Sequence, residues 1–501
     1  MMRSLFSGVT GLKVHQTKMD VIGNNIANVN TVGFKSSSVN FSDILYQTTS
    51  NATGPNANTG QAGQNAKQIG LGASVSEITA NIDVTGGAQR TDNPFDVMIN
   101  GDNFFIVNSA GTNYFTKSGA FKVDANGTLC TSSGANVMGW QVNESGTDIV
   151  KDEVSALRVM SEENLYAAPE ATTDAIVSGN IDENDTQLTA DGAKVQVSFF
   201  DNVGNTYSLK LSVKATADSK TTGTYTVIPT DVVDVNGNSL FVKKTTEADG
   251  TEKYTSTGYK IKFAGETYTA TVNETTGEVT LSTGTAANDG TELQYNIGSG
   301  KFVAVGATTA NGDETNKVSF SISDIAGTFT TVAAGAEGDE SVLPFRDIDI
   351  DFSTTTKYAA SSKCNLEAQK GNIYGLGAGK KVGNMTGISI DSAGKIFGSY
   401  DNGTTKLLGQ IAVTSFANAA GLEAVGNSMF KTTQNSGEFD GIGKDASEDG
   451  SGLTTGVLEM SNVDLSSEFT QMITTQRGFQ ANSRIITTSD TMLEELINLK
   501  R

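Results

Sequence analysis

The sequence is poor in the residues that most often carry catalysis, metal binding or covalent cross-linking. It has one histidine, one tryptophan and two cysteines among 501 residues. A single histidine cannot supply the histidine cluster of a zinc site. Two thiols, Cys130 and Cys364, cannot build a disulfide framework, so two free thiols are expected and one bridge stays open as the alternative. We therefore expect no catalytic residue, no cofactor and no bound metal ion.

Basic residues and long apolar runs are also scarce. With 35 Lys and Arg against 56 Asp and Glu, the formal net charge is −21. An excess of negative charge repels nucleic acid and anionic lipid, so neither is expected as a partner. No run approaches the roughly 18 apolar residues of a membrane-spanning helix, which predicts no membrane insertion. The first residues, MMRSLFSGVTGLKVHQ, lack the continuous apolar segment of a secretory signal, so an exported chain would use another route.

Glycine, by contrast, is abundant, with 55 residues, and turn-forming Ser, Thr, Asn and Asp accompany it. This composition predicts short strands joined by tight turns. Asn-Gly pairs flanked by alternating apolar residues predict hairpins at Asn100-Gly101 and Asn126-Gly127. A matching group of strands lies near the other end of the chain. We interpret residues 76–155 and 360–460 as one discontinuous β domain.

The middle of the chain, residues 156–359, is predicted to be an inserted outer β region. Its strands include KVQVSFFDNVGNTYSLKLSVK, and its length allows two modules, with a subdomain near 232–324. Residues 31–75, rich in Ser, Thr, Asn and Gly, predict an extended linker. The string GLGAGKK at 375–381 lacks the spacing of a phosphate-binding loop and its final Ser or Thr, so we interpret it as a loop between strands.

The two ends of the chain have a helical period instead. Apolar residues recur every seven positions, which predicts amphipathic helices within 1–30 and 461–501. Many companion positions are polar or small, so such helices bury little against one partner and need further neighbours. The open alternative is that both helices pack only on their own globular body. Otherwise the ends pair and then associate between copies through these residues: Leu5, Val9, Leu12, Met19, Ile26, Leu465, Phe469, Met472, Phe479, Ile486 and Leu493.

These patterns together predict the fold class. The chain is expected to be mainly β with terminal α-helices, in a discontinuous, multi-domain arrangement. Coiled-coil-like helical ends would flank β-rich inner and outer domains.

The string GLKVHQTKMDVIGNNIANVNTVGFK at 11–35 resembles the N-terminal signature of the bacterial flagellar rod and hook proteins. The C-terminal string SNVDLSSEFTQMITTQRGFQANSRIITTSD and the β segment SYDNGTTKLLGQIAVTSF resemble the same family. The likeness covers 1–155 and 360–501 and is weaker in the insertion. The signature residues are Gly23, Asn24, Asn25, Ile26, Ala27, Asn28, Asn30, Thr31, Gly33 and Phe34.

The resemblance implies a structural subunit that forms a helical homopolymer. Terminal helices of many copies would line a central channel, the discontinuous β domain would form a middle layer, and the insertion would lie outside. The implied partners are other copies of the chain, the flagellar rod, the hook cap, the hook–filament junction proteins and the flagellar export apparatus. The implied location is the extracellular hook of the flagellum, reached without a cleaved signal peptide.

Two alternatives remain at this point. A distal rod protein of the same family would share both ends, but the large insertion favours a hook subunit. A surface adhesin or carbohydrate-binding β protein would explain the polar β middle but not the helical ends.

Overall fold

The computed structural model describes residues 2–55, 60, 62–143, 146, 148–246, 252–284, 290–306, 316–323, 345–360, 362–448 and 450–499. Among these residues the chain forms two long terminal helices and a body of many short strands, so the predicted fold class is confirmed. None of the described helices is both long and apolar enough to cross a membrane. The chain divides into a first unit of Met1–Leu165, Thr386–Ser399 and Thr405–Arg501, and a second unit of Tyr166–Met385 and Tyr400–Thr404.

The helices are numbered along the chain. Helix α1 is Met2–Ala27, α2 is the short Ser219–Thr222 and α3 is Leu465–Leu499. Strands lying wholly or mostly in the first unit are Ser37–Asp43, Tyr46–Ser50, Lys67–Gly70, Ala73–Ala80, Ala88–Arg90, Val97–Asn100, Phe104–Ser109, Thr112–Thr116, Phe121–Val123, Leu129–Thr131, Asn136–Gln141, Ser155–Ala156, Gly383–Ile390, Lys395–Tyr400, Thr405–Ile411, Val413–Thr414, Glu423–Gly426, Met429–Lys431, Gly452–Thr455 and Val457–Glu459.

The strand Phe104–Ser109 is the centre of the first unit. It pairs antiparallel with Thr112–Thr116 and Asn136–Gln141 from the same part of the chain. It also pairs with Val413–Thr414, which lies far along the sequence. Its apolar run FFIV is fully buried against aromatic side chains from both segments, including Phe416. Apolar burial at this strand therefore joins the two separated parts of the unit.

The two predicted Asn-Gly hairpins have different outcomes. The hairpin at Asn126-Gly127 is confirmed. The hairpin at Asn100-Gly101 is wrong, because Val97–Asn100 pairs instead with Gly452–Thr455. Gly101 has a φ of 130°, outside the left-handed helical region that a type I′ turn requires. A strand partner so far along the chain cannot be inferred from local turn chemistry.

Residues 31–75, expected to be an extended linker, contain paired strands instead. Ser37–Asp43 pairs antiparallel with Ala73–Ala80, and Tyr46–Ser50 pairs with Lys67–Gly70. Serine and threonine hydroxyls meet across the first pair. These strands are held by backbone and hydroxyl hydrogen bonds with little apolar burial, which is why apolar periodicity does not reveal them.

The second unit contains two larger sheets around one apolar core. The core includes Phe199, Tyr225, Tyr268, Phe320 and Phe352. The seven-stranded sheet has the order Val279–Ser282, Glu266–Val272, Lys260–Phe263, Lys317–Ile322, Ile348–Thr356, Asp174–Asn180 and Glu367–Lys370. The five-stranded sheet has the order Ala193–Phe200, Thr206–Ala215, Thr224–Asp234, Thr291–Tyr295 and Phe302–Val305. The remaining strands are Tyr166–Ala167, Val242–Thr246 and Glu252–Ser256.

The boundaries of this unit differ from the expected insertion of 156–359. Glu367–Lys370 pairs with Asp174–Asn180, so the segment after 360 belongs to the insertion as well. Strands from the proposed subdomain near 232–324 contribute to both sheets and to the shared core. The described residues of that range therefore do not form a separate module.

Cys130 and Cys364 are free thiols, which confirms the prediction made from the sequence. Cys364 is partly buried, and its amide donates to the Asp185 carboxylate at 2.7 Å. Burial raises the pKa of the Cys364 thiol to about 11. A thiol with so high a pKa is protonated and unreactive at neutral pH.

A buried ion pair lies where both terminal helices join the β body of the first unit. Lys35 Nζ is 2.8 Å from Glu459 Oε1, and each side chain is only 1% exposed. Lys35 also donates to the carbonyl of Val84, and Glu459 accepts from the amide of Gly86. Lys35 follows α1, and Glu459 ends the last strand before α3. The pair therefore fixes both ends of the chain to one point.

Lys117 is a second buried cation near this pair. Its Nζ donates to the carbonyl of Gly101 at 2.8 Å and lies 4.8 Å from the centre of the Phe104 ring. Burial, together with the positive charge of Lys35, lowers the pKa of Lys117 to about 8, although Glu459 acts in the opposite direction.

Replacing Glu459 with alanine should destabilise the first unit strongly. Lys35 would remain as a buried charge without its carboxylate, a change that typically costs about 3–5 kcal/mol. Urea unfolding, followed by the fluorescence of the single tryptophan, Trp140, would measure the loss in this unit. As a control, Arg90→Ala removes an exposed pair with Asp92, which is worth at most about 1 kcal/mol. Equal losses in the two variants would contradict the role given to burial.

Lys117 should make the stability of the first unit depend on pH. Because folding lowers its pKa from 10.5 to about 8, the unfolded chain binds more protons between these values. The contribution of Lys117 to the free energy of unfolding therefore rises from pH 8 to pH 10.5. The measurement is the urea concentration at the midpoint of unfolding, plotted against pH. In the Lys117→Met variant this curve should rise less between pH 8 and pH 10.5 than in the wild type. The control variant Lys122→Met, at an exposed lysine, should leave the curve unchanged. A flattened curve in the Lys122 variant would show that the pH dependence does not come from Lys117 in particular.

Candidate functional site: the paired terminal helices

Helices α1 and α3 pack against each other along the first unit in antiparallel order. Near the start of α1, Gly8 faces Ile486, late in α3. Near the end of α1, Asn25 contacts Glu468, in the first turn of α3. The predicted pairing of the two ends is thus present within one chain.

Glycine lies at the closest points between the two helices. A Cβ on Gly11 would be 2.6 Å from Asn482 Nδ2, and a Cβ on Gly478 would be 2.8 Å from His15 Cε1. Neither position can carry a side chain without moving its neighbour. The missing side chains let the helix axes approach closely, as small residues do in other tightly packed helix pairs.

Polar groups fix the other end of this seam. Asn25 is buried, and its Nδ2 donates to Glu468 Oε1 at 3.0 Å and to the carbonyl of Ser37 at 2.9 Å. Its Oδ1 accepts from the amide of Ser37 at 2.9 Å. One amide side chain therefore links α1, α3 and the strand that begins at Ser37. A buried polar contact of this kind favours one helix register over others.

The lone histidine, His15, is a packing residue of this seam. Burial lowers the pKa of His15, and the positive charge of Lys18 acts in the same direction. The imidazole packs edge-to-face on Phe41, with ring centres 6.3 Å apart. The partly buried ring packs between Phe41 and the backbone at Gly478 and so fills space in the seam.

The single chain buries none of the eleven predicted interface residues completely. Three are exposed: Val9 (54%), Phe469 (50%) and Leu465 (38%). The other eight are partly buried: Leu5, Leu12, Met19, Ile26, Met472, Phe479, Ile486 and Leu493. Each helix thus keeps an apolar face that its own chain covers incompletely.

Several exposed apolar residues on the same helices were not predicted from the sequence. Except for Ile497, which lies four heptads after Phe469, they do not fall in the seven-residue series. They are Phe6 on α1, and Ile473, Ile485, Met492, Leu496, Ile497 and Leu499 on α3. The uncovered apolar surface is therefore wider than a single heptad stripe.

Sequence reasoning also missed the seam itself. Gly11 and Gly478 carry no apolar signal, and the pairing of Asn25 with Glu468 joins residues at opposite ends of the chain. One signal was available, since a glycine inside a helical pattern often marks a close packing contact.

The signature residues form the end of α1 and the turn that follows it. Gly33 has a φ of 67°, and a Cβ there would lie 2.7 Å from the backbone nitrogen of Ser118. The Gly33 amide donates to the carbonyl of Glu459 at 2.8 Å. Only glycine fits both requirements. Of the other signature residues, Asn25 is buried; Ile26, Asn28, Thr31 and Phe34 are partly buried; and Gly23, Asn24, Ala27 and Asn30 are exposed.

Gly8→Leu should separate α1 from α3. A Cβ at Gly8 would already lie 3.1 Å from Ile486 Cγ1 and 3.5 Å from the backbone carbonyl of Asn482, so a larger side chain must displace α3 itself. We expect faster amide hydrogen exchange throughout both helices in the dilute monomer. Gly23→Leu is the matched control, because a Cβ at exposed Gly23 meets no atom within 4 Å. Unchanged exchange in the Gly8 variant would show that the two helices do not pair as described.

Three family models match the chain, and all three come from axial proteins of the bacterial flagellum. Residues 5–35 match the flagella basal body rod protein family, and residues 98–167 match the flagellar hook protein FlgE/F/G D1 domain. Residues 454–499 match the flagellar basal body rod FlgEFG protein C-terminal family.

Full-length relatives extend this likeness over the insertion. The chain is 32% identical to the flagellar hook protein FlgE of Treponema pallidum, and the match covers 100% of both chains. The chain is also 32% identical to FlgE of Borreliella burgdorferi, with 100% of both chains covered, and 28% identical to FlgE of Escherichia coli, with 98% of both chains covered. The crystal structure of Helicobacter pylori FlgE2 aligns with 74% of this chain and 100% of its own at 14% identity, and its TM-score of 0.29 does not establish a shared overall arrangement.

The relatives carry the hook name over their whole length, so neither the distal rod alternative nor the adhesin is favoured. Since relatives above 30% identity span the entire chain, it belongs to the flagellar hook protein FlgE family, which is a family of structural proteins and not of enzymes.

Proposed function

We propose that this chain is a structural subunit of the bacterial flagellar hook that polymerises through α1 and α3. The observation that carries this proposal is the incompletely covered apolar face on both helices. The seam within one chain uses glycines and polar side chains, so the apolar residues beside it remain available to other copies.

The energetics favour association of many copies. Fully burying a Val, Leu, Ile or Phe side chain contributes about 1.5–3 kcal/mol. Val9 and Phe469 are about half exposed in the single chain and Leu465 is 38% exposed, so each retains part of that contribution for a contact with a neighbour. A face that contacts a different face on the next copy gives an open, helical polymer when the rotation between copies does not close a ring.

The proposed tube places the two units in separate roles. The helices of many copies would surround a channel, the β body of the first unit would form the next layer, and the second unit would lie further out. As a hook, the flexible tube would join the rod to the filament and pass torque between them. Its partners would then include rod, cap and junction proteins, and its subunits would pass through the flagellar export apparatus without a cleaved signal peptide to an extracellular location. In this role the chain needs no catalytic residue.

The double variant Val9→Ser with Phe469→Ser should polymerise poorly while remaining folded. Removing two apolar contacts per subunit should raise the critical concentration for tube formation by roughly tenfold or more. Sedimentation and electron microscopy of the purified chain would measure tube formation, and Trp140 fluorescence would verify folding. Val235→Ser is the control, because Val235 is 81% exposed but lies in the second unit.

Removal of residues 1–30 and 461–501 tests the same mechanism more severely. The buried pair of Lys35 and Glu459 stays in this truncated chain, so its β body should still fold. Normal tubes from the truncated chain would show that the helices are not the polymerising elements.

A further inference from the structure

The second unit presents an exposed apolar surface that the terminal helices do not account for. Within the loop 371–382, three large side chains are exposed: Ile373 at 69%, Tyr374 at 81% and Leu376 at 66%. We name these three residues the apolar tip. Single exposed apolar residues are ordinary, but several side by side on one loop indicate an interaction surface.

The apolar tip is held in a tight turn. The Asn372 side-chain carbonyl accepts from the amides of Tyr374 at 2.9 Å and Leu376 at 3.1 Å. The backbone amide of Asn372 donates to the backbone carbonyl of Leu376 at 2.9 Å. Gly375 has a φ of 75°, which glycine adopts without strain. The three side chains are therefore presented by an ordered turn.

Both sides of the loop are fastened to the segment 170–174. The Gly371 amide donates to the carbonyl of Asp174 at 2.7 Å. Lys380 and Glu170 exchange two backbone hydrogen bonds, of 2.8 Å and 2.9 Å. A surface already ordered in this way loses little conformational entropy when a partner covers it.

We propose that the apolar tip docks on a neighbouring copy of this chain in the assembled polymer, an inference that rests on the proposed function. The charge around it supports this partner. The segment KGNIYGLGAGKKV at 370–382 has three lysines and no acidic residue, whereas the whole chain carries −21. Lys381 Nζ is 3.9 Å from Asp401 Oδ2 and Lys370 Nζ lies over the Phe200 ring, so part of this charge is already compensated. The remaining positive charge favours a net-acidic partner, and another copy of this chain is net acidic. An anionic membrane would attract the loop but repel the rest of the chain.

The size of the apolar tip suits a contact made only during assembly. Three side chains of this kind cover on the order of a few hundred Å², below the ~800 Å² per partner of a stable interface. The tip alone should not dimerise the chain in dilute solution. In the polymer it adds to the contacts of α1 and α3 and repeats from copy to copy.

The double variant Ile373→Ser with Leu376→Ser tests this contact, and it leaves Asn372 and Gly375 in place to preserve the turn. We expect the critical concentration for tubes of the full chain to rise by roughly tenfold or more, since two apolar contacts per copy are lost. Val235→Ser, an equally exposed apolar change elsewhere in the second unit, should leave it unchanged.

Tyrosine nitration of the wild-type chain gives an independent readout. Tyr374 should react more than about fivefold more slowly in tubes than in the dilute monomer, because a contact excludes the reagent. Wild-type tubes in which Tyr374 reacts at the monomer rate would overturn the contact and leave the proposed function intact. Failure of the wild type to form tubes would overturn both. Binding of the monomer to phosphatidylglycerol vesicles that the double variant loses would assign the apolar tip to a membrane instead.

Discussion

The buried ion pair of Lys35 and Glu459 is the constraint on which the geometry of the first unit depends. Neither residue lies in a helix, but Lys35 follows the end of α1 and Glu459 precedes the start of α3. Further hydrogen bonds offset the cost of burying a charge pair, and here Val84 supplies one to Lys35 and Gly86 one to Glu459 Oε1, while Glu459 Oε2 has no hydrogen-bond partner among the described residues. The pair therefore favours one arrangement of four chain segments, and it positions the end of α1 and the start of α3. The Gly33 amide, bonded to the Glu459 carbonyl, brings the signature turn to the same point.

Because the end of α1 and the start of α3 are held in place, the contacts between the two helices can be weak and still define one register. Gly11 and Gly478 set how closely the helices approach, and Asn25 with Glu468 sets their register. None of these contacts buries a large apolar side chain. These pairing contacts therefore leave Val9, Leu465 and Phe469 at least partly exposed for contacts with other copies. A seam built from the leucines and phenylalanines would have paired the ends more firmly, but it would have hidden the surface that a polymer needs.

The parts of the fold that could be predicted from sequence are those with a local physical signal. The seven-residue recurrence of Leu5, Leu12 and Met19 predicts a helix because that period is set within a few turns. The Asn126-Gly127 hairpin is likewise local. The partner of Val97–Asn100 was not predictable, because it comes from the far end of the chain and is chosen by tertiary burial.

The polar strands and the packing of the two terminal helices were also not predictable from local sequence patterns. Ser37–Asp43 forms a ladder with Ala73–Ala80 that has little apolar content, so a criterion based on hydrophobic period interprets Ser37–Asp43 as linker. At the candidate site the apolar residues were correctly placed on helices. Which face meets the partner helix depends on where glycines permit close approach, and that property involves two distant segments at once.

A polymer whose contacts are individually small follows from these features. The exposed residues of α1 and α3 leave the helices of a single chain short of apolar burial, so their stability should rise when neighbours cover them. The apolar tip of the second unit is too small to bind alone and becomes effective only when the helices already hold the neighbour in place. In the proposed polymer, several contacts of this size, made together or not at all, would leave the free chain monomeric and make the assembled one stable. They also allow single contacts to slip or reform while the others hold, which is the mechanical property that a flexible joint requires.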